Sequence, residues 1–237
     1  MKDFPHALHH EPIAQIGPDL FCARGTIPIN PLVTISRNMT IIRRGNALTL
    51  VNSVRLAPDE LAKLEALGRV AHVLRLGGAH GRDDAFYVDR YGARFWAQPG
   101  GTRYTTPQID APLTDLGELP FDGAQLLIFA HARIPEAALL LRGGAGVLVT
   151  CDALQHYGDF SNNNLPARIA MPFLGFKRTT LIGPLWLKAA TPHGGSLKTD
   201  FERLLDHDFD ALFGAHGTFL PTGAKAAVRA AIATTFG

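Results

Sequence analysis

Cysteine is scarce in this chain, long apolar runs are missing, and neither sign of charge dominates. Each shortage removes a class of protein. The two cysteines among 237 residues, Cys22 and Cys151, are not spaced as a metal-binding pair. A chain of this length buries a core without a disulfide framework, so Cys151, which follows the apolar run 147–149, is expected as a buried thiol. No segment approaches about 18 uninterrupted apolar residues, so no membrane partner is expected. Residues 1–6 carry no apolar stretch of the secretory kind, and a cytoplasmic location is the expectation. The formal charge is only +2, with no run of Lys and Arg to concentrate it, so no nucleic-acid partner is expected. With 14 Phe against 4 Tyr and 2 Trp, the aromatics suit core filling better than a base-stacking platform. Common phosphate and nucleophile motifs are missing too. The GGAG segment at 143–146 precedes a strand, GGAHG at 77–81 lacks the dinucleotide spacing, and no G-x-S-x-G occurs.

What is present reads as an α/β or α+β chain, 46% hydrophobic and 19% charged, with no internal repeat and no linker. A single domain over 1–237 is expected. Segments 19–25, 32–36, 39–42 and 47–52 read as strands in antiparallel hairpins. Residues 58–68 are the clearest helix. Pro58 suits its first turn, Asp59 and Glu60 favour its positive end, Leu61, Leu64 and Leu67 share a face, and Gly68 ends it. A strand at 70–76, a helix at 83–91 and a strand at 93–97 form a small α/β unit. Strands follow at 125–130, 137–141 and 147–150. Residues 155–197 show little periodicity and read as a long irregular segment of functional or interface type, which also offers a homodimer contact. An amphipathic stretch at 196–206, a strand at 209–213 and an alanine-rich helix at 222–235 close the chain.

Four polar clusters stand at the ends of these strands. Asp152 directly follows an apolar strand, where a carboxylate needs partners; it reads either as a loop anchor or as a metal ligand. His156 reaches the same place if the segment turns helical, and is otherwise a loop imidazole. His216 lies between Ala215 and Gly217, small neighbours that leave an imidazole accessible as ligand or general base. In HGRDD at 80–84, Asp83 and Asp84 either bind a divalent cation with His80 or cap the helix that follows. His131 and Arg133 occupy a fourth loop. Arg133 is a permanent cation with no acceptor, so it could bind an anion or pair with a carboxylate but cannot ligate a metal.

The order of these segments resembles the metallo-β-lactamase superfamily over roughly residues 19–225. HGRDDA at 80–85 is similar to that family's H-x-H-x-D-H motif, RIPEA at 133–137 to its G-H-S-P-G-S segment, TCD at 150–152 to its T-G-D, and AHG at 215–217 to its G-H-G. The resemblance implies a four-layer αββα sandwich and a metal-dependent hydrolase of a small-molecule substrate. It carries ligand roles onto His80, Asp84, Asp152 and His216, with Arg82, Ala85 and Arg133 standing where the family has histidines. It thereby implies an atypical or mononuclear site for one Zn²⁺ or other divalent ion, with His80, Asp152 and Arg133 as the reacting groups. The second reading is a metal-free, non-catalytic binding protein on the same scaffold, in which Arg82 and Arg133 neutralise the remaining carboxylates.

Overall fold

The computed structural model describes residues 4–101 and 103–237. Its first sheet has seven strands in sequence order: β1 (Ala14–Gly17), β2 (Leu20–Pro28), β3 (Thr34–Arg44), β4 (Ala47–Val51), β5 (Arg69–Arg75), β6 (Arg94–Ala97) and β7 (Ala111–Pro112). The first four are antiparallel hairpin partners, and β4 to β7 run parallel. Parallel neighbours need crossovers, which are supplied by α1 (Pro58–Leu67) and α2 (Asp84–Tyr91). The second sheet has four strands in the order β13-β10-β9-β8, made of β8 (Ala124–Ile128), β9 (Ala137–Leu141), β10 (Val147–Val149) and β13 (Ala211–Phe213).

Three apolar clusters define the layers. Leu20, Ile42, Val51 and Leu74 of the first sheet meet Leu126, Leu139, Leu141 and Val149 of the second. On its other face the first sheet packs Met39, Leu50 and Val73 against Leu61 and Leu64 of α1 and Phe86 and Tyr87 of α2. The outer face of the second sheet packs Leu140, Leu148 and Leu212 against α4 (Pro184–Ala190), α5 (Lys198–Leu204) and α6 (Ala224–Phe236). Helices, sheet, sheet, helices: this is the four-layer αββα sandwich.

Two expectations about local structure are corrected. Arg37 and Asn38, read as a break between the strands 32–36 and 39–42, lie with Ser36 inside the single eleven-residue strand β3 and are buried. Residues 155–197 are not irregular. They hold β11 (Leu154–His156), paired antiparallel with β12 (Thr180–Ile182), and the helices α3 (Leu165–Phe173) and α4. Asn164 caps α3 by accepting from the Ala167 N–H, with Pro166 in the first turn.

Candidate metal centre

Strand ends build the site. His80 follows β5 by five residues, Asp152 follows β10 by three, and His216 follows β13 by three. Since β10 and β13 pair in parallel, their carboxyl ends leave the sheet side by side. Asn52 ties the two sheets together there. Its amide donates to the Thr150 carbonyl at 3.0 Å, and its side-chain oxygen accepts from the Leu76 N–H at 3.2 Å.

Three donor atoms converge. His80 Nε2 lies 3.2 Å from Asp152 Oδ1 and 3.2 Å from His216 Nε2, and His216 Nε2 lies 3.1 Å from Asp152 Oδ1. Ligand atoms at about 2.0–2.1 Å from a tetrahedral Zn²⁺ stand about 3.3 Å apart, so this triangle has the size of one tetrahedral face. The tautomers argue the same way. The Ser36 carbonyl, 2.6 Å from His216 Nδ1, can only accept, so Nδ1 carries a proton, and in that tautomer Nε2 offers its lone pair toward the carboxylate. Two acceptors at 3.1 Å repel unless a cation or a proton lies between them. Where a proton takes that place, the imidazoles that carry it hold the Asp152 carboxyl far below the usual carboxylate range, against burial, which alone would raise it. Burial also depresses the His80 imidazole, against the opposing pull of Asp152.

The supporting residues were not foreseen from sequence. Beyond its carbonyl, Ser36 accepts the Gly217 N–H through Oγ at 2.9 Å and donates its own N–H to Asn163 Oδ1 at 2.8 Å. The Asn38 amide donates to the carbonyls of Gly214 and Gly217 at 3.0 and 3.1 Å, gripping both ends of the His216 turn. Gly217 has φ +83, and a Cβ there would fall 2.1 Å from the His156 carbonyl, so glycine is required. This hydrogen-bonded orientation is what a metal-binding imidazole normally has, and His216 possesses it. Nδ1 of His80, also buried, has no protein partner.

Glu136 anchors the remaining ligand. This buried carboxyl accepts the Ala153 N–H at 2.8 Å, fixing the backbone just after Asp152, and burial followed by the Asp152 charge pushes it well above the usual range. Glu136→Ala should cost about 1–3 kcal/mol by orphaning that N–H, whereas Glu136→Gln keeps an acceptor and should cost under about 1 kcal/mol. Urea denaturation of the two variants measures the difference, and equal losses would remove the anchoring role.

Several expected ligands lie elsewhere, and the reasons are specific. Asp84 accepts from Arg75 Nε at 2.7 Å and from Ser53 Oγ at 2.5 Å, a buried pair that leaves no oxygen for the triangle. Asp83 pairs with Arg37 at 2.6 Å, with Arg82 at 2.6 Å and with the Arg55 N–H at 3.0 Å. Neither aspartate caps α2. Gly81 makes room for this arrangement, since a Cβ there would meet the Arg75 guanidinium at 2.4 Å. His131 is exposed and pairs with Asp200 at 3.0 Å. His156 sits on β11 with Nδ1 2.9 Å from Thr180 Oγ1, so its backbone rather than its imidazole serves the His216 turn. Arg133 is exposed, and only its backbone N–H is engaged, by the Ala190 carbonyl. Arg82 turns to Asp83 and the His6 carbonyl. Among the described residues, therefore, no hydrogen bond joins Arg82 or Arg133 to Asp152. Cys151 is a further donor, with its sulfur within 4.8 Å of His80 and Asp152 ligand atoms. It is fully buried among the inter-sheet residues, and burial with the Glu136 and Asp152 charges raises its thiol well above the ordinary value.

The triangle lies against a cavity of about 410 Å³, largely apolar, with Ile35, Ile134, Tyr157, Met171, Phe176 and Trp186 among its walls. Arg37, fixed by Asp83 and the Ser53 carbonyl, is also at its edge.

No protein-family model matches this sequence, and no curated protein matches it. Solved structures do. The mono-zinc form of the metallo-β-lactamase FIM-1 from Pseudomonas aeruginosa superposes with a TM-score of 0.64 at 12% identity, covering 97% of each chain. A metallo-β-lactamase from Hirschia baltica gives 0.60 at 14% identity, covering 95% of this chain and 97% of that one. The crystal structure of VMB-1 gives 0.65 at 7% identity, covering 98% of this chain and 100% of that one. The chain has the metallo-β-lactamase fold. At these identities the likeness concerns the scaffold, and chemistry must be argued from the site.

Proposed function

We propose that this protein is a mononuclear metal-dependent hydrolase, in which His80, Asp152 and His216 hold one divalent cation such as Zn²⁺. The observation that carries the reading is the triangle of three donor atoms, with the His216 ring held through Nδ1 by the Ser36 carbonyl. Two imidazoles and a carboxylate form a borderline-soft donor set suited to zinc, with a fourth position left for water or substrate. A bound cation would supply Lewis acidity toward a carbonyl or phosphoryl oxygen and make water more acidic. The protein's own share is orientation and exclusion of bulk water. Ser36 and Asn38 fix the His216 ring, Glu136 fixes the Asp152 backbone, and the apolar walls accept the non-reacting part of the substrate. Those walls favour a substrate with an apolar acyl or alkyl portion.

The metal-free binding reading keeps one observation in its favour, the neutralisation of Asp83 and Asp84 by arginines. Turnover separates the two. Zinc-loaded protein should hydrolyse members of a panel of aryl esters, thioesters and lactams, lose that activity to a chelator, and lose it in Asp152→Ala. Metal-loaded protein that binds panel members without turning any over would favour the binding reading.

A further inference from the structure

Helix α3 is apolar on its buried face and carries a second apolar stripe facing outward. Leu165, Ile169 and Phe173, spaced four apart on one face, are 69%, 59% and 88% exposed. Its opposite face, with Ala167 and Met171, walls the cavity beside the metal centre. The stripe continues across a neighbouring element. Asn164 joins α3 to the tip of the β2–β3 hairpin, accepting from the Thr34 N–H at 3.2 Å and donating to the Leu32 carbonyl at 2.8 Å. That tip exposes Ile29 and Leu32, and α4 adds exposed Leu185. Ile29 and Leu185 also line the cavity, so its mouth opens within the apolar face.

The chain segments that build this face carry mostly basic residues, with Asp159 beside Arg168 and Arg178. Between Asp159 and Asp200 the chain contains no carboxylate but carries Arg168, Lys177, Arg178, Lys188 and Lys198, all exposed. Lys198 has Glu202 at 3.9 Å, and Arg168 and Arg178 lie beside Asp159, with Lys177 adjacent in sequence. The hairpin adds no acid, since none occurs between Asp19 and Asp59. The acid nearest in sequence to α3 is Asp159, at the N-terminal edge.

We propose that α3, the β2–β3 hairpin tip and Leu185 form a docking face for an anionic lipid surface, with the cavity mouth at the interface. Exposed Phe, Ile and Leu flanked by Lys and Arg are the composition of a helix lying in the plane of a bilayer. The apolar stripe enters the acyl boundary, and the cations meet lipid phosphates. Absence of a spanning helix among the described residues does not bear on this mode. A second copy is a poorer occupant, because a two-fold contact through this face sets identical cations against one another. The docking face is independent of the metal reading, since none of its contacts passes through His80, Asp152 or His216.

Flotation of the full chain with phosphatidylcholine vesicles, with and without phosphatidylglycerol, tests it. The protein should float with the anionic vesicles and not with the neutral ones, and high salt should release it. Phe173→Asp and the double variant K177E/R178E should each lower the bound fraction more than about tenfold, while His216→Ala floats like the parent. All three altered positions are exposed, and circular dichroism confirms that the variants fold. Equal recovery from both vesicle types, or unchanged flotation of both face variants, would overturn the proposal. So would absence of flotation combined with a dimer in sedimentation velocity that Phe173→Asp dissolves, an outcome that assigns the face to a second copy.

Discussion

Arg75→Met should destabilise the protein by about 3–5 kcal/mol, the usual result of leaving one member of a buried ion pair without its partner. The side chain of Asp84 is 1% exposed and that of Arg75 7%. The same guanidinium donates to the carbonyls of Tyr104 and Thr106, at 2.9 and 3.2 Å, and lies over the Phe95 ring. Methionine fills the volume but leaves the carboxylate charged in a space closed to water. The double variant R75M/D84L should regain most of the loss, because two apolar groups of similar bulk need no counterion. Asp84→Asn should lower stability yet leave zinc affinity within about tenfold of the parent. Urea denaturation and competitive zinc titration read the two effects separately. Loss of zinc binding in Asp84→Asn would make that carboxylate a ligand after all.

His216→Ala should abolish metal-dependent turnover and weaken zinc binding beyond the roughly 10–100-fold expected for losing a supporting group. Asn38→Ala supplies the graded comparison. It removes the grip on the Gly214 and Gly217 carbonyls while leaving all three donor atoms in place, so its effect on affinity should fall within about 10–100-fold. Equal effects from the two variants would mean that His216 acts on structure and not as a ligand.

These contrasts explain what could be read from the chain alone. The sandwich was legible only through the family resemblance, which rests on polar motifs at strand ends. An apolar run into Asp152, another into Ala215–His216–Gly217, and a Gly–Gly turn before His80 place three polar groups at carboxyl ends of strands, where backbone direction brings them together. The structure brings these three together. Asp84 was misplaced because a motif position specifies a backbone site, and the side-chain partner was set by Arg75, nine residues earlier on β5. Nothing local in the sequence marks that pairing.

The supporting residues were hidden for a related reason. Arg37 and Asn38 look like a polar interruption after the strand that ends at Ser36, yet all three residues are buried against the site and bonded to partners far along the chain. A polar run inside a β-branched segment was the available signal, and strand continuity through it was the missed inference. Residues 155–197 failed differently. α3 is apolar on both faces, Ala167 and Met171 inward and Leu165, Ile169 and Phe173 outward, so it shows no apolar–polar alternation for a sequence reading to find.

The central claim is that one cation sits among His80 Nε2, Asp152 Oδ1 and His216 Nε2. Zinc K-edge absorption on protein purified without chelator and loaded to saturation tests it most directly. One zinc per chain, coordinated by nitrogen and oxygen at about 2.0–2.1 Å with no sulfur, is the expected result. A sulfur shell at about 2.3 Å, which would bring in Cys151, or an absence of stoichiometric zinc, would contradict it.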